Sequence, residues 1–80
     1  MKDDKKIGKI IKYMRIQSNM TQDELANKIN IGRTTLSDYE REKTDINFDT
    51  IIKICRECKY EIKFTNKNDT ITIDNIDRKI

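Results

Sequence analysis

Apolar residues recur every three or four positions over most of this chain, and the period changes once, near its end. From Ile7 to about Ser18, the residues Ile7, Ile11 and Met14, continued by Met20, follow a 3.6-residue period and are expected to face the core. Ile10, Tyr13 and Ile16 fall off that stripe and give the helix a second apolar flank that needs another partner. Thr21-Gln22-Asp23-Glu24 reads as a capping box: the Thr21 hydroxyl accepts from the Glu24 amide, and the Glu24 carboxylate reaches back. Met20 before it and Leu25 after it fit a hydrophobic staple. The second helix therefore starts at Gln22, with Leu25, Ala26 and Ile29 inward. Asn30 suits the left-handed conformation that ends helices. A third helix is predicted from Gly32 or Arg33 to about Arg41, with Leu36 and Tyr39 inward and an outer face that is small and polar. Asn47 is placed to cap a fourth helix, with Phe48, Ile51, Ile52 and Cys55 on its buried face.

After Lys59 the period becomes two. Tyr60, Ile62 and Phe64 alternate with Glu61, Lys63 and Thr65; Asn66-Lys67-Asn68-Asp69 reads as a turn; Ile71 and Ile73 then alternate with Thr70, Thr72 and Asp74. This predicts a C-terminal β-hairpin. Two strands are marginal alone, so the hairpin must pack on something, either the Ile10/Tyr13/Ile16 flank or another subunit. Asn75 to Ile80 carry no clear pattern.

Eighty residues make one domain with a modest core. The chain is 35% hydrophobic and 39% charged, but the periodic placement of its apolar residues argues against disorder. Residues 1–43 hold 10 basic and 7 acidic side chains, whereas residues 44–80 hold 7 of each. The excess of +3 therefore sits in the first half, where it could face phosphates. No apolar run is long enough to span a membrane, and Lys2-Asp3-Asp4-Lys5-Lys6 after Met1 does not resemble a signal peptide. The expected location is cytoplasmic, with no membrane partner. Cys55 and Cys58 form a Cys-x-x-Cys pair, but there is no histidine and no second pair to complete a zinc site. The expectation is a small buried thiol plus a boundary thiol, with no metal and no cofactor. There is also no nucleophile with an evident base and no phosphate-cradling glycine loop, so an enzyme is not expected.

A family resemblance rests on Ile7-Gly8, Ile11, Met14-Arg15, Met20-Thr21-Gln22, Leu25-Ala26, Ile29, Leu36-Ser37, Tyr39-Glu40 and Ile51. In these residues and their spacing the chain resembles the helix-turn-helix domain of the Cro/phage-repressor (Xre-type) family, over about residues 7–58. The resemblance implies a mainly α fold: a lambda-repressor-like bundle of four to five helices, here followed by the short β-hairpin. It implies that Gln22, at the start of the second helix, contacts backbone phosphate and steadies the recognition helix, and that Arg33, Thr34, Ser37 and Asp38 lie where the family reads base edges. Arg15 and Glu40 match a pair that forms an internal salt bridge. The chain departs from the pattern at Asn30, at Gly32 in place of a Ser or Thr cap, and at Glu42, where Gly is common. Glu42 is expected to put an acidic group near phosphates.

The chemistry of these side chains fits that reading. The Arg33 fork matches guanine O6 and N7, worth about 1–3 kcal/mol of discrimination. Thr34 and Ser37 can approach bases or phosphate closely, and Asp38 can accept from cytosine N4 or repel phosphate. Gln22 lies near a helix N-terminus, a natural phosphate position. Arg41, Lys43 and Lys9 are candidate phosphate contacts. For each of these the alternative is a plain solvated side chain.

The function expected is a sequence-specific transcriptional regulator, a repressor that binds palindromic double-stranded DNA as a homodimer. Residues 59–80 form the dimerisation element, with an interface of Ile54, Tyr60, Ile62, Phe64, Ile71 and Ile73. The alternatives are an antitoxin-like protein that binds its own promoter while the tail masks a toxin, and a protein-interaction module that does not bind DNA.

Overall fold

Local chemistry sets the starts of the second and fourth helices and the ends of the first four. The computed structural model describes residues 6–80. Its elements are α1 (Ile7–Gln17), α2 (Gln22–Lys28), α3 (Arg33–Glu40), α4 (Phe48–Cys58), β1 (Lys63–Thr65), β2 (Thr70–Thr72) and α5 (Ile76–Lys79). The predicted capping box forms: the Thr21 hydroxyl accepts from the Glu24 amide at 3.1 Å, and the Thr21 amide donates to Glu24 Oε1 at 2.8 Å. Asn47 caps α4, its Oδ1 accepting from the Thr50 amide at 2.8 Å.

All four helices stop in the same way. Asn19, Asn30, Glu42 and Lys59 each take a left-handed conformation, with φ between 59° and 64°. After each, the next amide reaches back five residues, Met20 to Arg15, Ile31 to Ala26, Lys43 to Asp38 and Tyr60 to Cys55, at 2.8–3.2 Å. These bonds satisfy carbonyls that a helix end leaves open. None of the four is glycine, and only Asn30 was predicted to adopt this conformation.

The core takes one fully buried side chain from each of these helices: Ile11, Leu25, Leu36 and Ile54. Met14, Ala26, Ile29, Cys55 and Cys58 surround them. Three expectations are corrected here. Ile54, assigned to an outward interface, is completely buried, because α4 packs on both α1 and α2 and its buried side is correspondingly wide. Cys58 is buried with Cys55 for the same reason. Phe48, assigned to the buried face, is 45% exposed. It lies at the first position of α4, at the margin of the bundle, and meets Phe64 edge to face with ring centroids 6.2 Å apart.

Strands β1 and β2 pair antiparallel with Phe64 opposite Ile71, and are shorter than the alternation predicts. The turn is built by Asn66, whose Oδ1 accepts from the Asn68 and Asp69 amides at 2.7 and 2.9 Å. The hairpin lies beside α4, where Tyr60, Ile62 and Ile73 line a small cleft with Ile52 and Cys55. It does not cover the second flank of α1, so Ile10, Tyr13 and Ile16 remain 49–60% exposed. The α5 turn had no periodicity to announce it. Thr72 and Asn75 bond each other at its start, at 2.9 and 3.1 Å, and Lys79 pairs with Asp69 at 2.8 Å across the hairpin turn. That ammonium holds the Asp69 carboxyl below its ordinary range.

Gly8 is the one position where a missing side chain decides the packing. A Cβ there would lie 2.6 Å from the Tyr39 carbonyl oxygen and 2.7 Å from that of Glu40. Alanine is the better helix former by roughly 1 kcal/mol, but backbone on the neighbouring element cannot move aside as a side chain can. Gly8→Ala is expected to destabilise by about 1–3 kcal/mol net, which thermal melting will read as a drop of about 4–8 °C per kcal/mol.

Candidate nucleic-acid interface

The turn after α2 passes through left-handed Asn30 and delivers the chain into α3 with Leu36, Tyr39 and Glu40 facing inward. The other side of α3 carries Arg33, Thr34, Ser37 and Asp38, and Arg41 follows at its end. Arg33 and Thr34 are exposed, Ser37 and Asp38 partly so. The Arg33 guanidinium is 3.8 Å from Asp23 in the first turn of α2, and both side chains are more than 60% exposed. Arg41 donates to Asp38 at 3.3 Å, so this acidic group is partly occupied within its own helix. Lys43 is exposed just beyond. Thr35, which sequence reasoning passed over, is exposed in the same first turn. Gly32 gives that turn no side-chain cap.

Gln22 reaches beneath α3. Its amide nitrogen donates to Glu40 Oε1 at 3.0 Å, so the side chain joins the support beneath α3. Glu40 is the centre of that support. Arg15 grips it as a fork, Nε to Oε2 at 2.6 Å and Nη2 to Oε1 at 3.0 Å, and donates to the Met20 carbonyl through Nη1 at 2.9 Å. The Arg15 and Glu40 side chains are 11% and 2% exposed. Both Glu40 oxygens and all three Arg15 nitrogens are satisfied, the condition under which a buried ion pair holds its place. The resemblance pointed to this pair and to Gln22 as a residue that steadies the recognition helix, but not to Glu40 as the partner of Gln22.

Glu42 does not point where it was expected to. It turns back toward α1, and its Oε2 accepts from the Gly8 amide at 3.1 Å.

Both cysteines are buried and free. Burial pushes the Cys55 thiol up, and Cys58 beside it adds to the shift, so Cys55 keeps its proton near neutral pH. Among the described residues no group of three or more His, Cys, Asp or Glu side chains could hold a metal ion. No helix among them is long and apolar enough to cross a membrane.

A family model described as helix-turn-helix matches residues 11–64. The chain belongs to the helix-turn-helix family. Over 48 residues it is 44% identical to the HTH-type transcriptional regulator ImmR of Bacillus subtilis (strain 168), a match covering 60% of this chain and 38% of ImmR. The chain thus spans well under half the length of that relative. Among solved structures, this helix-turn-helix chain is similar to the wild-type restriction-modification controller protein C.Esp1396I. The TM-score is 0.64 at 31% identity, covering 69% of this chain and 72% of that one. It is equally similar to the same controller protein solved as a tetramer in complex with its natural 35 base-pair operator, with a TM-score of 0.63 at 31% identity over the same shares.

Proposed function

We propose that this helix-turn-helix chain is a sequence-specific DNA-binding transcriptional regulator, a repressor that binds a palindromic operator as a dimer in the cytoplasm. The observation that carries the reading is the outward face of α3, small and polar around an exposed Arg33, on a helix anchored from beneath by Glu40, Arg15 and Gln22. The similarity to a controller protein held on its operator supports it. In this reading α3 enters the major groove, Arg33 takes guanine, Thr34, Ser37 and Asp38 read neighbouring edges, and Arg41 and Lys43 take phosphates. Gln22 contributes by steadying α3, and any phosphate contact it makes runs through the second N–H of its amide nitrogen, the first being donated to Glu40. The function involves no enzymatic step.

The dimerisation element is residues 59–80. Tyr60, Phe64 and Ile73 are 40–46% exposed, and Phe64, Ile71, Ile73 and Ile76 line one shallow apolar hollow. A two-stranded sheet of three residues per strand is marginal alone, and a second copy would cover that face. Two such domains would present their recognition helices about 34 Å apart on successive turns of the major groove.

The test is selection from random-sequence duplex DNA at about 150 mM salt, where phosphate binding alone is weak. A palindromic site is expected. Arg33→Ala should weaken binding to it by about 1–3 kcal/mol, roughly fivefold to over a hundredfold. Its melting temperature should stay unchanged, because an ion pair this exposed contributes little. Failure to enrich any sequence would instead favour an interaction module that works through the hairpin.

A further inference from the structure

Among the described residues, the start of α1 has no acceptor of its own. Lys6 provides no side-chain cap, and the first turn carries no acidic residue. The Gly8 amide is nevertheless satisfied, by a carboxylate 34 positions away: Glu42, the residue just past the end of α3 that takes a left-handed φ of 62°. A carboxylate is the favoured partner at the positive end of a helix. Gly8 also lets the Tyr39 and Glu40 carbonyls approach α1 more closely than any side chain would allow.

Gly8 and Arg15 are seven residues apart, two helical turns, so they share one side of α1 about 10 Å from each other. Both hold the C-terminal end of α3, Arg15 through Glu40 and Gly8 through Glu42. Leu36 holds the middle of α3 in the core, and two attachments at its C-terminal end fix its direction more tightly than one. An eight-residue helix is about 12 Å long, so a pivot of about 10° at its C-terminal end moves Arg33 at the other end by about 2 Å, enough to break a bidentate base contact.

We infer that Glu42 is a positioning residue for operator reading: it sets the direction of α3 through the Gly8 amide, and so acts on DNA affinity without touching DNA. This rests on the DNA-binding reading above. It also assigns a role to the residue that departs from the family's usual glycine.

Glu42→Gly separates positioning from mere stability, because glycine relieves the left-handed backbone while removing the bond. Glu42→Gln keeps an oxygen that can accept from Gly8. Affinity for the selected operator is measured across a salt series, below the melting transition of every variant. Glu42→Gly is expected to bind about three- to tenfold more weakly, the loss of part of one bond to a charged acceptor, with the salt slope unchanged. Glu42→Gln should recover most of that affinity. In the free protein, Glu42→Gly should speed amide exchange at Gly8 and shift the NMR resonances of Arg33 to Asp38. Tighter binding and a steeper salt slope in both variants would overturn the inference, because Glu42 would then face phosphate. Wild-type affinity in Glu42→Gly would overturn it as well. If the wild-type chain selects no DNA, the regulator reading fails, and the free-protein spectra alone decide whether Glu42 directs α3.

Discussion

Arg15→Ala is expected to cost this domain about 3–5 kcal/mol of stability, because it leaves the Glu40 carboxylate, 2% exposed, buried without its countercharge. The substitution removes three hydrogen bonds at once, two to Glu40 and one to the Met20 carbonyl. Gln22 remains on Glu40, but a neutral amide cannot offset the charge. At about 4–8 °C per kcal/mol for a domain of this size, the melting temperature should fall by more than 10 °C. Glu40→Gln in the Arg15→Ala background removes the stranded charge and should restore part of the loss. A thermal melt unchanged by Arg15→Ala would remove the pair from its place as the anchor of α3. Operator binding by the variant, measured where it is still folded, should fall far less than its stability.

Phe64→Glu is expected to have the largest effect on function. Phe64 is 46% exposed and touches Phe48 only through a ring edge, so an isolated chain can turn a glutamate there toward water. At a dimer interface built from the hairpin the same carboxylate would be buried beside apolar side chains, which is costly without a partner. Sedimentation should then show a monomer. Affinity for a palindromic site should drop by roughly 10²–10⁴-fold, the gain that linked half-sites confer. A Phe64→Glu chain that still sediments as a dimer would place the interface elsewhere, and the exposed Ile10/Tyr13/Ile16 flank of α1 would be examined next.

Much of this molecule was legible in the chain because its signals are local. The capping box at Thr21, the Asn47 cap, left-handed Asn30 and the Asn66 turn each depend on atoms within a few residues of one another, and each forms as read. The period of 3.6 placed Ile11, Met14, Leu25, Ala26, Ile29 and Leu36 inward, and the period of two placed the hairpin. The same pattern gave the outward face of α3.

What the pattern could not contain depends on residues far apart in sequence. Ile54 is buried because α4 meets two helices rather than one, and Phe48 is exposed because the bundle ends beside it. Periodicity says which side of a helix is apolar, but not how wide a face its neighbours will cover or where the bundle stops. Gln22 reads locally as a residue free to bond phosphate, yet its amide nitrogen lies 18 positions from the carboxylate that accepts from it. Glu42 reads as an acidic residue in a loop, and only the approach of α1 turns it into a helix cap. Hydrogen bonds between near neighbours follow from backbone geometry that a few residues set by themselves. Bonds between distant residues exist only after the core has brought the helices together, and the placement of α3 rests on those.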